Sequence, residues 1–191
     1  MTTITLLTGL LFACGMLAYT ALLYNGLIRL RNDNDRAWAN IDVLLKQRHD
    51  EIPNLVETVK GYMQHEQQTF QMVTEARAAY AKASTVGQKA AADNQVNAAL
   101  RGLFAVAEGY PELKANQNFL RLQQRISELE DHIADRREFF NANVAGYNTR
   151  IAQVPDVILA HWMELKPREM FKVAEEDRRT LTITLTHSAG R

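Results

Sequence analysis

This chain contains few cysteines and prolines, and its positive and negative charges balance. Its 191 residues include one cysteine, Cys14, and four prolines, and the formal net charge at pH 7 is zero. One cysteine excludes an intramolecular disulfide and a multi-cysteine zinc site, and the balanced charge gives no indication of nucleic acid as a partner. The segments between the prolines are rich in Ala, Leu, Glu, Gln, Lys and Arg, which predicts an all-α fold.

No charged side chain occurs before Arg29 in this sequence. The run Ile4–Leu23 is mostly apolar and matches the roughly 20 residues that an α-helix needs to cross the hydrocarbon core of a membrane. A cleaved signal peptide would begin with basic residues and end at small ones, whereas this run ends in bulky residues. A lipoprotein signal at Cys14 is also disfavoured, because apolar residues continue well past it. We therefore predict a retained transmembrane anchor in residues 1–28, which contacts the lipid bilayer through residues 4–23.

The basic residues that flank the anchor indicate its orientation. Arg29, Arg31 and Arg36 follow the apolar run, and no Lys or Arg precedes it. Because cytoplasmic flanks are enriched in Lys and Arg, we predict that the N-terminus lies outside and the domain lies in the cytoplasm. The inverted arrangement, with the domain in the periplasm, stays open at this point.

Apolar residues recur at three- and four-residue intervals through residues 29–177, which predicts one bundle of about four antiparallel, coiled-coil-like helices. The first helix continues from the anchor, and Pro53 is predicted to break or kink it. Gly87 is predicted to stop the second helix, and Gly-Tyr-Pro at residues 109–111 ends the third. The helices predicted after Pro53 are residues 54–83, 89–108 and 116–151, with a short one at 156–163.

The last residues differ in kind from the rest of the chain. Residues 178–191 include the strictly alternating sequence Thr-Leu-Thr-Ile-Thr-Leu-Thr, a pattern typical of a half-buried strand. Two interpretations are open: the tail is disordered, or it pairs with a strand of another chain, since edge pairing is a known mode of recognition. Docking or self-assembly through the tail is thus a hypothesis.

Sequence motifs that carry catalysis or metal binding are absent. None of the five histidines completes a Glu-x-x-His pair, which a di-metal helical bundle would need, and His-Glu-x-x-His and phosphate-binding loops are also missing. His65–Glu66 and Glu130–His132 would form a metal site only by converging in space, and solvated helix faces are the more ordinary interpretation. We predict no enzymatic activity, no catalytic residue, no metal, no cofactor and no small-molecule substrate.

Several motifs, in order along the chain, resemble the LemA family. They are Ile52-Pro53-Asn54-Leu55-Val56, Tyr110-Pro111-Glu112-Leu113-Lys114-Ala115-Asn116 and Tyr147-Asn148, with shorter matches between Tyr24 and Arg77 and at Lys166-Pro167. The resemblance covers much of the chain after the anchor, and no motif agreement is expected beyond Asp177. It implies a protein of the bacterial inner membrane with an N-terminal transmembrane helix, a long antiparallel helical bundle and no established enzymatic activity. It also implies relatives associated with membrane organelles or membrane remodelling.

Charged residues interrupt the apolar faces of two long predicted helices. Glu66 and Arg77 lie in one, and Arg136 and Arg137 lie in the other. We hypothesise that these four side chains form a buried polar layer that fixes helix register, as buried polar residues do in coiled coils. An exposed surface for a partner protein is the alternative, and the sequence leaves both open.

These observations favour a membrane-anchored helical scaffold that binds protein partners or self-assembles into a homo-oligomer. Association would use exposed helix faces, and the anchor or the tail could contribute to it. The alternative function is an oligomeric factor that remodels or organises the membrane.

Overall fold

The structure is a computed structural model that describes residues 2–172, in which every regular element is an α-helix. The prediction of an all-α fold is confirmed. The Thr-rich tail of residues 178–191 lies outside the described residues, so both interpretations of it stay predictions. The helices of the described part are α1 (Thr2–Lys60), α2 (Gln67–Lys82), α3 (Val86–Ala107), α4 (Pro111–Lys114), α5 (Gln117–Ala152) and α6 (Asp156–Trp162).

The first helix does not break at Pro53. α1 continues through this proline to Lys60, so the predicted helix boundary is wrong. A proline inside a helix removes one backbone hydrogen bond and costs about 3 kcal/mol. Ile52, Leu55 and Val59 flank it and are at most 1% exposed, and burial stabilises each such side chain by roughly 1.5–3 kcal/mol. The continuous apolar face therefore outweighs the local penalty.

The turns on either side of α2 also differ from the prediction. Residues 61–66 connect α1 to α2, which begins at Gln67 and thus later than predicted. Gly87 lies inside the first turn of α3 instead of ending the preceding helix. The reason is a capping box. The Thr85 hydroxyl accepts a hydrogen bond from the Gln88 N–H at 3.2 Å, and the Gln88 side chain accepts one from the Thr85 N–H at 3.3 Å.

The two helices predicted closest to the C-terminus are confirmed. α5 spans Gln117–Ala152, within one residue of the predicted bounds, and α6 follows Pro155 as expected. The apolar residues of α5 that recur at three- and four-residue spacing are buried: Phe119, Ile126, Leu129, Ile133, Phe140, Val144, Tyr147 and Ile151.

The chain divides into two compact units. The first contains the chain up to Leu44 together with His132–Met170, and the second contains Leu45–Asp131 together with Phe171 and Lys172. In the first unit, Trp38 lies against Phe140 with ring centroids 5.6 Å apart, and Leu27 clusters with Tyr147 and Ile151. Because residue numbers rise along α5 as they fall along α1, these two helices are antiparallel within the first unit.

The second unit is built from the C-terminal part of α1, the helices α2 to α4 and the first part of α5. α2 packs against α3, and the shared core includes the fully buried side chains Leu55, Met63, Leu100, Leu103 and Leu113. The ring of Phe104 meets that of Phe119 edge to face, with centroids 6.3 Å apart. Helices from three parts of the chain thus close one apolar core.

Candidate functional site

The N-terminal part of α1 is exposed along its apolar run. Leu7, Leu11, Phe12 and Leu17 are 60–74% exposed. Within residues 2–172, α1 is the one helix that is long and apolar enough to cross a membrane, and its most apolar stretch contains no buried residue. A contiguous exposed apolar surface marks a contact with lipid or with another protein. The length of the run fits the thickness of a bilayer, so this stretch is a candidate membrane span.

Threonine hydroxyls within this stretch are satisfied by the helix itself. Thr5 donates to the carbonyl of Thr2 at 2.8 Å, and Thr20 donates to the carbonyl of Met16 at 2.9 Å. The hydroxyl of Thr8 lies 3.0 Å from the carbonyl of Thr5. An unsatisfied polar group in hydrocarbon costs several kcal/mol. The internal hydrogen bonds therefore make the run compatible with lipid despite its threonines.

In the first unit, two of the motif residues hold the segment that follows α6. The Asn148 side-chain amide donates to the Arg168 carbonyl at 2.9 Å, and its oxygen accepts from the Arg168 N–H at 2.8 Å. The Arg168 guanidinium lies 5.5 Å from the centroid of the Tyr147 ring and 2.6 Å from the carboxylate of Asp35. Tyr147 and Asn148 therefore attach the segment around Arg168 to α5, and Asp35 attaches it to α1.

We expect Asn148→Ala to loosen this attachment. The substitution removes both side-chain partners of the Arg168 backbone, and a lost hydrogen bond that leaves its partner unsatisfied costs about 1–3 kcal/mol. Hydrogen–deuterium exchange of residues 164–171 should become faster, by the factor that a free-energy loss of about 1–3 kcal/mol implies. Asn143→Ala is the matched control, because Asn143 donates only to the Phe139 carbonyl of its own helix. Equal exchange in the two variants would contradict the assignment.

The second unit contains a buried charged cluster, which we call the Arg48 cluster. It consists of Arg48 on α1, Asp93 and Asn97 on α3, and Glu130 on α5. The side chains of Arg48 and Asp93 are 3% and 0% exposed. Arg48 donates to the carboxylate of Asp93 and to the side-chain oxygen of Asn97, and its guanidinium lies 3.6 Å from the Glu130 carboxylate. Three helices are thus joined at one buried guanidinium.

Glu130 lies at the edge of the Arg48 cluster. Burial raises the pKa of its carboxyl group, and the neighbouring Arg48 guanidinium opposes that rise. The carboxylate of Asp93 reinforces the effect of burial. The cluster therefore places two carboxylates around one guanidinium.

The predicted polar layer is not where the buried charges lie. Arg77 and Arg136 are exposed, and Glu66 and Arg137 are only partly buried. Glu66 accepts a hydrogen bond from the Tyr110 hydroxyl at 3.1 Å. Glu66 lies in the turn before α2 rather than inside a helix, and Arg77 and Arg136 are on solvent-exposed parts of theirs. A buried polar group does exist, but Arg48 and not Arg77 is at its centre.

The Arg48 cluster had a partial signal in the sequence. Asp93 lies three residues before Val96 and seven before Leu100, so it shares their buried face at helical spacing. A carboxylate at such a position needs a buried cation as its partner. Nothing local in the sequence identifies Arg48 as that partner, because the two residues are 45 positions apart.

The motif around Tyr110 forms a corner between helices. Pro111 occupies the first position of α4, where its missing N–H carries no penalty. The side-chain oxygen of Asn116 accepts from the N–H groups of Asn118 and Phe119 at 2.9 and 3.1 Å, and so caps α5. Its amide donates to the Tyr62 hydroxyl at 3.0 Å. These motif residues therefore have structural roles.

Pro53 lines a groove of about 490 Å³ between α1 and α2 in the second unit. Asn54, the next motif residue, is exposed. The groove is walled by apolar side chains such as Val56 and Val73, with His49 and Arg77 also on its surface. The ring of His49 lies 4.9 Å from that of Tyr80. Burial lowers the pKa of His49 below 6.5, and the Arg77 guanidinium lowers it further, whereas Asp50 acts in the opposite direction.

We expect the stability of the protein to fall as the pH is lowered through 6.5. An unfolded histidine titrates near its ordinary pKa of about 6.5, so below that pH the unfolded chain binds more protons than the folded one. His49→Phe keeps an aromatic ring beside Tyr80 and should flatten this part of the profile. Thermal unfolding at pH values on both sides of 6.5 measures it. His65→Gln, at an exposed position, should leave the slope unchanged.

The candidate metal ligands do not converge. Within residues 2–172, no group of three or more His, Cys, Asp or Glu side chains is placed to hold a metal ion. His65 and His132 are exposed, and Glu130 faces Arg48. The predicted absence of a metal, a cofactor and a catalytic residue stays a prediction.

Fold and site together define an all-α protein with a candidate membrane-spanning N-terminal helix, whose polar motif residues cap helices and attach neighbouring segments. Residues 37–184 match the LemA family, and the chain belongs to this family. The resemblance drawn from the motifs is therefore confirmed. The match also continues past Asp177, where motif agreement was expected to end.

Individual relatives share about a quarter of their aligned residues with this chain. Magnetosome protein MamQ 2 of Paramagnetospirillum magneticum is 25% identical over 175 residues, which cover 78% of this chain and 64% of that protein. Magnetosome protein MamQ of Magnetospirillum gryphiswaldense is 25% identical over 174 residues, with the same coverage. Protein LemA of Metamycoplasma hominis is 26% identical over 159 residues, which cover 81% of this chain and 71% of that protein. The chain thus spans less than two thirds of the length of the magnetosome relatives that it matches.

Proposed function

We propose that this protein is a single-pass, membrane-anchored helical scaffold that binds protein partners, or copies of itself, at the bacterial inner membrane. The observation that carries the proposal is α1: its exposed apolar run continues without a break into the packed part of the same 59-residue helix. The anchor is thus joined to the packed helices of the first unit by helix alone, without an intervening loop.

Binding rather than catalysis is the proposed mode of action. Motif residues named in the sequence analysis are engaged in caps and segment contacts, as with Asn116 and Asn148. Arg77 and Arg136 are exposed on helix surfaces, which supports the hypothesis of a partner-binding surface over that of a buried layer. Charged helix faces of this kind set partner choice more than affinity.

The proposed orientation places the domain in the cytoplasm. Arg29 and Arg31 are exposed directly after the apolar run, and such residues are retained on the cytoplasmic side. Protease added to sealed inverted membrane vesicles should therefore digest the domain. Digestion in right-side-out spheroplasts instead would reverse the orientation.

A membrane-organising oligomer is the second candidate. Two of the relatives are named as proteins of the magnetosome, and this proposal would give the present chain a comparable role in shaping or organising a membrane. Regular homo-oligomers, rather than complexes with one other protein, are expected in this case.

One experiment separates the two candidates. The full-length protein is extracted gently from its native membrane, imaged by electron microscopy and crosslinked, and its neighbours are identified by mass spectrometry. A large regular homo-assembly supports the membrane-organising function. A small particle with one reproducible protein partner supports the scaffold. An isolated monomer without crosslinked neighbours would contradict both.

A further inference from the structure

Large apolar side chains are exposed at one end of the first unit. Val154 is 80% exposed, Ile158 is 71% exposed and Trp162 is 77% exposed. They follow one another at intervals of four residues, so Ile158 and Trp162 lie one turn apart on the same side of α6, and Val154 lies in the turn before it. We call these three residues the α6 apolar face.

The opposite side of α6 packs against α1. Ala160 is buried in a cluster with Leu27 of α1, and Leu159 and Met163 pack against the same cluster. Leu27 comes four residues after Leu23, the last residue of the apolar run, which is about 6 Å along the helix axis. α6 is therefore packed directly beside the point where the candidate membrane span ends.

The register of α5 on α1 places the turn before α6 still closer to the span. Trp38 lies opposite Phe140, and the Arg150 guanidinium comes within 4.0 Å of the position that a side chain on Gly26 would take. α5 thus runs toward the span within the first unit. The turn at Val154, which follows the end of α5, lies beyond the level of Gly26 on the side of Leu23.

Within α6 no exposed carboxylate interrupts the apolar face, whereas Glu164, two residues after Trp162, is exposed. Asp156 is buried, and its carboxylate pairs with the Arg150 guanidinium at 3.0 Å. Arg29 and Lys166 are exposed. Such cations suit the headgroup level of a bilayer, where their charged ends can reach phosphate while their apolar stems lie deeper.

We propose that the α6 apolar face inserts into the same membrane that α1 spans and forms a second lipid contact of the domain. Tryptophan is enriched at membrane interfaces because its ring is apolar and its N–H is polar. Amphipathic helices bury their apolar faces about 5–10 Å into the boundary between headgroups and acyl chains. This inference rests on the proposed membrane anchor, and it adds that the first unit lies directly on the bilayer surface.

Tryptophan fluorescence tests the proposal in the full-length chain. The sequence contains two tryptophans, and Trp38 is partly buried beside Phe140. A Trp38→Phe variant, reconstituted into vesicles of phosphatidylcholine and phosphatidylglycerol, reports on Trp162 alone. Its emission should be blue-shifted relative to a tryptophan in water. Phosphatidylcholine brominated near the headgroup end of its acyl chains should quench it more than lipid brominated near the chain termini.

Two sets of variants serve as controls. Val154→Asp with Ile158→Asp, in the Trp38→Phe background, should shift the Trp162 emission toward that in water and remove most of the quenching. Val43→Asp changes an apolar residue of α1 that is 56% exposed and should leave the quenching unchanged. The helical circular dichroism of all variants should match that of the parent protein.

A separate probe on Cys14, the sole cysteine, distinguishes failure of this inference from failure of the anchor. A fluorophore at Cys14 should be quenched by lipids brominated near the chain termini, which shows that α1 spans the bilayer. If Cys14 is quenched and Trp162 is not, the α6 contact is refuted and the anchor stands. A blue-shifted Trp162 emission without quenching would show that protein covers the face, which also refutes the lipid contact. If Cys14 is not quenched, the proposed anchor fails, and the α6 contact, which rests on it, is refuted as well.

Discussion

Replacing Arg48 with alanine is expected to lower the free energy of unfolding by about 3–5 kcal/mol, the range measured when one partner of a buried ion pair is removed. Asp93 would keep its carboxylate in a fully buried site, at 0% exposure, without the Arg48 guanidinium that it contacts. The penalty arises because the buried carboxylate loses the guanidinium that offsets its desolvation, and it exceeds the value of an ordinary hydrogen bond. Thermal unfolding in mild detergent and hydrogen–deuterium exchange of the α3 amides would both report it.

A double variant separates the electrostatic part of this stability loss from the part that is due to lost packing. Arg48→Met together with Asp93→Leu removes both charges and keeps apolar volume, and buried pairs replaced in this way are often as stable as the original. We expect the double variant to recover most of the stability lost by Arg48→Ala. Arg36→Ala is the surface control, because the Arg36 side chain is 80% exposed and 4.0 Å from Asp33. It should change stability by less than about 0.5 kcal/mol. A single Arg48 variant as stable as this control would refute the cluster's role.

Two arginines in the middle of the apolar run are expected to detach the protein from the membrane. Leu10 and Leu11 are exposed in α1 at 64% and 72%, and an arginine at the centre of a membrane span costs about 2.5–3.5 kcal/mol. The Leu10→Arg, Leu11→Arg variant should therefore move from the carbonate-resistant membrane pellet to the soluble fraction. Cell fractionation followed by alkaline extraction measures the change.

A matched variant tests whether charge alone causes this release. Val43→Arg with Leu120→Arg adds the same two charges at exposed positions outside the run, and the protein should stay in the pellet. Release of both variants would show that added charge, rather than position in the span, is responsible. Retention of the Leu10 and Leu11 variant would mean that α1 does not hold the protein in the membrane.

The polar residues show most clearly where sequence reasoning succeeded and where it failed. The interrupted apolar stripes led to the hypothesis of a buried polar layer, but Glu66, Arg77, Arg136 and Arg137 are exposed or only partly buried. Helical periodicity locates a residue around the helix only to within a fraction of a turn. A residue at the edge of an apolar stripe can therefore be either exposed to solvent or buried. Which side chains are covered depends on the neighbouring helices, and that information is not local.

The helix boundaries show a second difference between local signals and packing. Pro53 is a strong local breaker, yet the helix continues because the side chains on both sides of it are buried in the same core. Thr85 and Gln88 form a capping signal that places the beginning of α3 before Gly87. Predicting that the helix continues through Pro53 requires the tertiary structure. Predicting the beginning of α3 requires only the Thr-x-x-Gln pattern.

By itself the sequence determined the apolar run without charge, the all-α fold, the long helix α5 and membership of the LemA family. These follow from composition, from helical periodicity and from short motifs, all of which are properties of neighbouring residues. Only the tertiary structure decided that Arg48 meets Asp93, that α1 passes through Pro53 and that Trp162 is exposed on α6. Each of these depends on which helices pack together, since burial and pairing are set by residues distant in the chain.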